Sequence, residues 1–197
     1  MPSLPRRLPI AVPIHVTNRG VERRKIFLDR SDYSAFLGFL ADAGRRFPVV
    51  VDGYCLMPNH FHLVLRQSEP KAISSYLHRV SLLSALRLRD ETGSSGLGHV
   101  FQRRFWSYAV DDEAGFFRLL RYVEANALRS KLVQRAEQWE WGSLWERSTR
   151  GRKLLAPHFR PLPADWVDLV NREQQAEDLS GCRRPVKRGR PPAVGSV

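Results

Sequence analysis

The segment HFHLVLR, starting at His60, carries two imidazoles one residue apart on an alternating run. Strand side chains alternate between faces, so His60, His62 and Val64 share one face while Phe61, Leu63 and Leu65 share the other. The apolar set can bury against a core and hold the strand rigid, which presents both imidazoles to one cation. An HxH pair alone is weak evidence, and two part-exposed histidines at the mouth of a hairpin is the plainer reading. A second group lies in DDEAGFFRLLRYVEANALRSKLV. Its period predicts a helix over residues 113–130, with Phe116, Leu119, Leu120, Val123 and Ala127 as the buried stripe. Tyr122 and Asn126 are four apart, about 40° from one another around the helix, at the border of that stripe. A border tyrosine is ordinarily a packing residue with a wet hydroxyl. A phenol beside an amide also suits a nucleophile whose target phosphate is held by a metal, and Arg121 and Arg129 add positive charge nearby.

The elements that must position these groups follow from pattern. IAVPIHVTNRG predicts a strand over roughly residues 10–18. Asp29 to Arg46 reads as a helix capped by Asp29 or Ser31, burying Tyr33, Phe36, Leu37 and Leu40. VVVDGYCLM and HFHLVLRQ are two strands joined by a tight Pro58-Asn59 turn. Ile73, Tyr76, Leu77, Val80 and Leu83 stripe a further helix opened by Pro70. TGSSGLG is a connector, and VFQRRFWSYAV a strand or hairpin carrying Arg103 and Arg104. The order βαββαβα implies an α+β fold, an antiparallel sheet of the ferredoxin-like type with helices on one face. Beyond Gly151 the pattern weakens. A helical C-terminal extension and a basic, low-complexity tail are expected there.

The chain has 197 residues, with 32 Lys and Arg against 20 Asp and Glu and a formal net charge of +12. Such an excess suits a polyanion, since neutralised phosphates release condensed counterions. A solubilising surface is the alternative, but arginines interleaved with aromatics, as in QRRFWSY, favour nucleic acid, with phosphate contact and base stacking combined. For Phe105 and Trp106, stacking and core packing stay equally open. Two cysteines far apart make no disulfide framework or zinc ribbon. No run approaches a membrane span or a secretory signal, so a cytoplasmic, nucleoid-associated protein is expected. His15 is expected to be structural or to contact DNA; His78, His99 and His158 lack partner spacing.

These pieces combine into a known pattern. GYCLMPNHFHLVL followed by RYVEANALRSKLV resembles the single-tyrosine HUH transposases, of the IS200-like superfamily. The match is closer to their REP-associated tyrosine transposase branch, which HVTNRGVERRKIFLDRSDYSAFL, HVFQRRFWSYAV and the Trp-rich segment also resemble. The resemblance covers roughly residues 9–148, expected to form the transposase domain, with 149–180 a partly ordered extension and 181–197 a disordered tail. It implies an HUH endonuclease fold, His60 and His62 as metal ligands, Asn126 as the third ligand, and Tyr122 as nucleophile. The implied cofactor is Mg²⁺ or Mn²⁺, and the implied activity is cleavage and rejoining of single-stranded DNA at hairpins of repetitive extragenic palindromes through a 5′-phosphotyrosine. Where relatives read Asn-Pro this chain has Asn126-Ala127, which leaves the chemistry intact and the helix end less loosened. Arg103, Arg104, Arg121 and Arg129 are expected to contact DNA. So are Arg188 and Arg190, in an RGRP core similar to an AT-hook. A domesticated binder of hairpin or A·T-rich DNA that no longer cuts is the alternative, and a plain metal-dependent nuclease a third reading. Monomer and homodimer both stay open.

Overall fold

The computed structural model describes residues 8–92, 100–102, 104–149, 151, 154–157 and 159–174. The TGSSGLG connector, His99, Arg103, His158 and the basic tail with Arg188 and Arg190 lie outside or largely outside the described residues. Strands form where β-branched and apolar residues alternate: β1 (Ile14–Arg19), β2 (Val49–Met57), β3 (His60–Gln67) and β4 (Trp106–Ala109). They make one antiparallel sheet in the order β2-β3-β1-β4. Helix α1 (Arg30–Arg46) connects β1 to β2, and α2 (Ala72–Thr92) follows β3. This is the expected ferredoxin-like α+β arrangement. β1 begins later than residue 10 because Pro13 has no N–H to give the ladder and Ala11 sits at φ 62°, a turn conformation. Pro58 and Asn59 form the tight turn, so Met57 faces His60 across the hairpin. The Asp29 carboxylate caps α1, accepting from the backbone N–H groups of Ser31 and Asp32.

The sheet buries both faces. Ile14, Val16, Phe61, Leu63 and Leu65 pack on one side against Phe36 and Leu40 of α1 and Ile73 and Tyr76 of α2. On the other side Cys55, Met57 and Val64 meet Phe116, Leu119, Leu120 and Val123 of α3 (Glu113–Glu124). The expected single helical layer is therefore the α1–α2 pair, and α3 adds a second layer opposite it. Gly53 lets α3 approach, since a Cβ there would stand 2.4 Å from Leu120 Cδ1.

The helix expected over 113–130 is interrupted. α3 ends at Glu124, Ala125 adopts φ −81°, ψ 0°, and a short α4 (Asn126–Arg129) follows. The Tyr122 carbonyl accepts from Asn126 Nδ2 at 3.0 Å and from an Arg129 guanidinium nitrogen at 3.1 Å. In an unbroken helix that carbonyl serves the backbone N–H of Asn126. Side chains have taken over its satisfaction, and the axis breaks there without a proline.

The C-terminal extension braces this region. Buried Glu124 accepts from Ser143 Oγ (2.7 Å), Arg147 Nε (2.9 Å) and Trp166 Nε1 (2.7 Å). Those donors come from α5 (Ser143–Thr149) and α6 (Trp166–Asn171). Trp166 and Val170 are buried in the same core as α3, so residues past 148 pack as part of the α3 face.

Candidate functional site

Sheet register assembles the site. β1 sets Thr17 against His62 and Arg19 against His60, and β4 sets Tyr108 against His15 and Trp106 against Thr17. Alternation then aims His15, Thr17, Arg19, His60, His62, Trp106 and Tyr108 at one face. α3 crosses that face and adds Tyr122; the break after it adds Asn126 and Arg129. His15, Thr17 and Arg19 line a cavity of about 440 Å³ together with His60, His62, Tyr122, Asn126 and Arg129. Hence the four residues expected to do chemistry do meet, together with one of the expected DNA-contact arginines.

The rings are close. The His60 and His62 centroids are 5.0 Å apart at 82°, and Tyr122 meets His62 edge-on at 5.6 Å. Arg129 holds its guanidinium carbon 4.1 Å from the Tyr122 ring centroid, an attractive placement over the ring's negative face. Asn126 Nδ2 is committed to the Tyr122 carbonyl, which leaves the amide oxygen as the atom available to a ligand. His60 Nδ1 lies 2.7 Å from Asn59 Oδ1. An amide oxygen only accepts, so that ring nitrogen carries the proton and Nε2 keeps its lone pair. Burial, aided by Arg19, pushes the His60 imidazole down to about 4. Burial first, and then the charges of His15, His60, Arg129 and Arg19, holds His62 well below the usual histidine range. Both imidazoles are therefore neutral at pH 7, as ligation requires.

Two neutral imidazoles and an amide oxygen are donor types that fit a divalent ion with open positions. Among the described residues no three His, Cys, Asp or Glu side chains form a group that could hold a metal ion. A separate, more apolar cavity of about 230 Å³, lined by Ile26, Phe27, Phe39 and Phe101, holds none of these groups.

Other expected residues fall elsewhere. Arg121 turns toward the C-terminal extension, donating to the carbonyls of Leu169 (2.7 Å), Arg172 (3.0 Å) and Glu173 (3.4 Å). Arg104 is exposed and lines a different groove with Lys71, His78 and Arg79. Phe105 packs against the α1–α2 core, whereas Trp106 turns its ring to His15 at 5.5 Å. His15 is the residue that sequence reasoning underrated. It is fully buried, burial pushes it down to about 3, and its Nε2 lies 2.9 Å from His62 Nδ1. Full burial removes it from DNA contact. Its signal was the alternation Ile14-His15-Val16-Thr17, which puts it on the His62 face once β1 is paired with β3.

The fold gathers two histidines, a tyrosine and an asparagine around one cavity, and comparison with known proteins gives the chain its family. The model of the family described as "Transposase IS200 like" matches residues 10–126, a span that closes on Asn126. The chain belongs to the IS200-like transposase family. A Haemophilus influenzae protein named as a REP-associated tyrosine transposase is 23% identical over 136 residues, covering 62% of this chain and 73% of the relative. A solved structure of a REP-associated tyrosine transposase bound to a REP hairpin superposes with a TM-score of 0.64 at 18% identity, over 83% of this chain and 96% of that one. The REP-associated branch suggested by the sequence is thus the one these relatives represent. No described helix is long and apolar enough to cross a membrane.

Proposed function

We propose that this protein cleaves and rejoins single-stranded DNA beside hairpins of repetitive extragenic palindromes, with Tyr122 as nucleophile and His60, His62 and Asn126 as holders of Mg²⁺ or Mn²⁺. The observation that carries this reading is the edge-on approach of Tyr122 to His62 inside a cavity that also contains His60 and Asn126. When bound, the cation supplies Lewis acidity to a non-bridging oxygen of the scissile phosphate. Tyr122 loses its phenolic proton to solvent in the cavity and attacks phosphorus in line. The bond to the 3′-oxygen breaks, that oxygen takes up a proton, and the 5′-phosphate stays on Tyr122. The phosphodiester energy is conserved, so a 3′-hydroxyl of another strand can reverse the step. Arg129, fixed by Gln174 and the Tyr122 carbonyl, stabilises negative charge on the phenol oxygen and orients the ring.

In this reading residues 9–148 form the transposase unit, 149–180 the extension bracing it, and 181–197 a tail whose Arg188 and Arg190 add phosphate affinity. Arg103 and Arg104 contact the DNA backbone, and the protein works on DNA in the cytoplasm. The test is cleavage of a labelled single-stranded hairpin with Mn²⁺, resolved on a denaturing gel. Wild type forms a DNA–protein adduct and Tyr122→Phe forms none. Hairpin binding without adduct in wild type would instead indicate a domesticated binder, and cleavage without adduct a plain nuclease.

A further inference from the structure

A fully buried histidine is an expensive choice where leucine or phenylalanine could fill the same volume. His15 has 0% exposure and is enclosed edge-on by the rings of Trp106 (5.5 Å), Tyr108 (5.4 Å) and Tyr122 (5.9 Å). Its ring lies nearly coplanar with that of His62, edge to edge, with centroids 5.1 Å apart and planes 10° from parallel. Its Nε2 lies 2.9 Å from His62 Nδ1, and its own Nδ1 has no hydrogen-bond partner. The edge-on aromatic contacts need only an aromatic ring. The 2.9 Å nitrogen–nitrogen contact needs a histidine, and the orphaned Nδ1 is what the fold carries in exchange, since a buried unpaired polar atom is destabilising.

We propose that His15 is a positioning residue that locks the ring of His62 and selects its metal-binding form. This role rests on His62 being a metal ligand, as proposed above. A neutral imidazole has one N–H and one lone pair, and the hydrogen bond at one nitrogen decides what the other can do. His62 can bind a cation through Nε2 only when its proton sits on Nδ1. That N–H then donates to His15 Nε2, and His15 keeps its own proton on the orphaned Nδ1. No atoms are gained or lost between the two tautomeric arrangements of the pair. His60 meets the same requirement by a different route, giving its Nδ1 proton to Asn59. Each candidate imidazole thus has a dedicated partner behind it, one from the turn and one from the neighbouring strand. Partners of this kind are worth 10–100-fold in metal affinity.

The test uses the full-length chain without DNA and Mn²⁺ alone as the probe, with free Mn²⁺ followed by electron paramagnetic resonance. His15→Phe keeps an aromatic ring and removes the hydrogen bond; it is expected to bind Mn²⁺ about 10–100-fold more weakly. His15→Gln, whose amide can accept from His62 Nδ1, is expected to recover most of that affinity. Equal Mn²⁺ affinity in His15→Phe and wild type would overturn the proposal, and so would a Gln variant no better than Phe. His62→Ala separates the two readings. If it binds Mn²⁺ like wild type, the metal-site assignment itself fails; if it loses binding while His15→Phe does not, only the positioning role fails. Should His15→Phe not fold, nitrogen-15 NMR of the Mg²⁺-saturated wild type decides. A slowly exchanging proton on His62 Nδ1 is expected, and a proton on Nε2 would overturn the proposal.

Discussion

Removing the carboxylate of Glu124 should unlock the helix that carries Tyr122. Its side chain has 0% exposure and faces the Arg147 side chain at 11% exposure. It accepts three hydrogen bonds, from Ser143, Arg147 and Trp166. Breaking a buried ion pair by deleting one partner costs about 3–5 kcal/mol. Two further donors left unpaired add about 1 kcal/mol each, discounted because Arg147 also donates to the Asp52 carbonyl. Glu124→Ala is therefore expected to lose about 5 kcal/mol, a large part of the 5–15 kcal/mol typical of a folded domain. For a chain of this size each kcal/mol moves Tm by about 2–4 °C, so the melt should fall by about 10–20 °C. Glu124→Gln keeps one acceptor oxygen but turns an NH₂ toward a donor, and about half that loss is expected. Thermal and urea unfolding followed by circular dichroism measure both. A Glu124→Ala variant within about 1 kcal/mol of wild type would show that α5 and α6 do not brace α3.

Acid sensitivity follows from the buried imidazoles. His15 is pushed down to about 3 and His60 to about 4, against about 6.5 in an unfolded chain. Below pH 6.5 the unfolded chain takes up protons that the fold refuses. Stability is thus complete above that pH and lost as pH falls toward 4, by about 1.4 kcal/mol per unit for each imidazole; unfolding midpoints that stay flat from pH 7 to 4.5 would contradict this. Gly53→Ala sets a Cβ against Leu120 Cδ1 and is expected to destabilise by about 1–3 kcal/mol, measured by urea denaturation. Arg104→Ala should weaken hairpin binding and make its salt dependence shallower by about one unit of log–log slope. Arg121→Leu, by contrast, should lower Tm, since its donors hold the carbonyls at the end of α6; salt-titrated binding and melting distinguish the two.

The sheet and the α1–α2 layer were legible because their signals are local. Alternation in HFHLVLR, the Pro58-Asn59 turn and the Asp29 cap each act within a few residues. His60, His62, Tyr122 and Asn126 could be named by spacing and resemblance, but their meeting depends on a register between strands far apart in sequence. The break at Ala125 was hidden because it comes from two side chains competing for one carbonyl, at a point where the sequence has ordinary helix formers and no proline. His15 looked unremarkable alone and gained its role only when β1 was placed beside β3. Arg121 and Arg129 read alike on a helix surface; what separates them is the extension, whose α6 carbonyls claim Arg121.

If Tyr122 is the nucleophile, its phenolic oxygen carries the bond to DNA. Adduct made with a hairpin oligonucleotide and Mn²⁺ can be digested with trypsin and nuclease and sequenced by mass spectrometry. Cleavage after Arg121 and Arg129 releases the peptide running from Tyr122 to Arg129. A 5′-linked nucleotide is expected on that peptide, with fragments placing it on Tyr122. A nucleotide on any other residue, or cleaved DNA with this peptide unmodified at every time point, would contradict it.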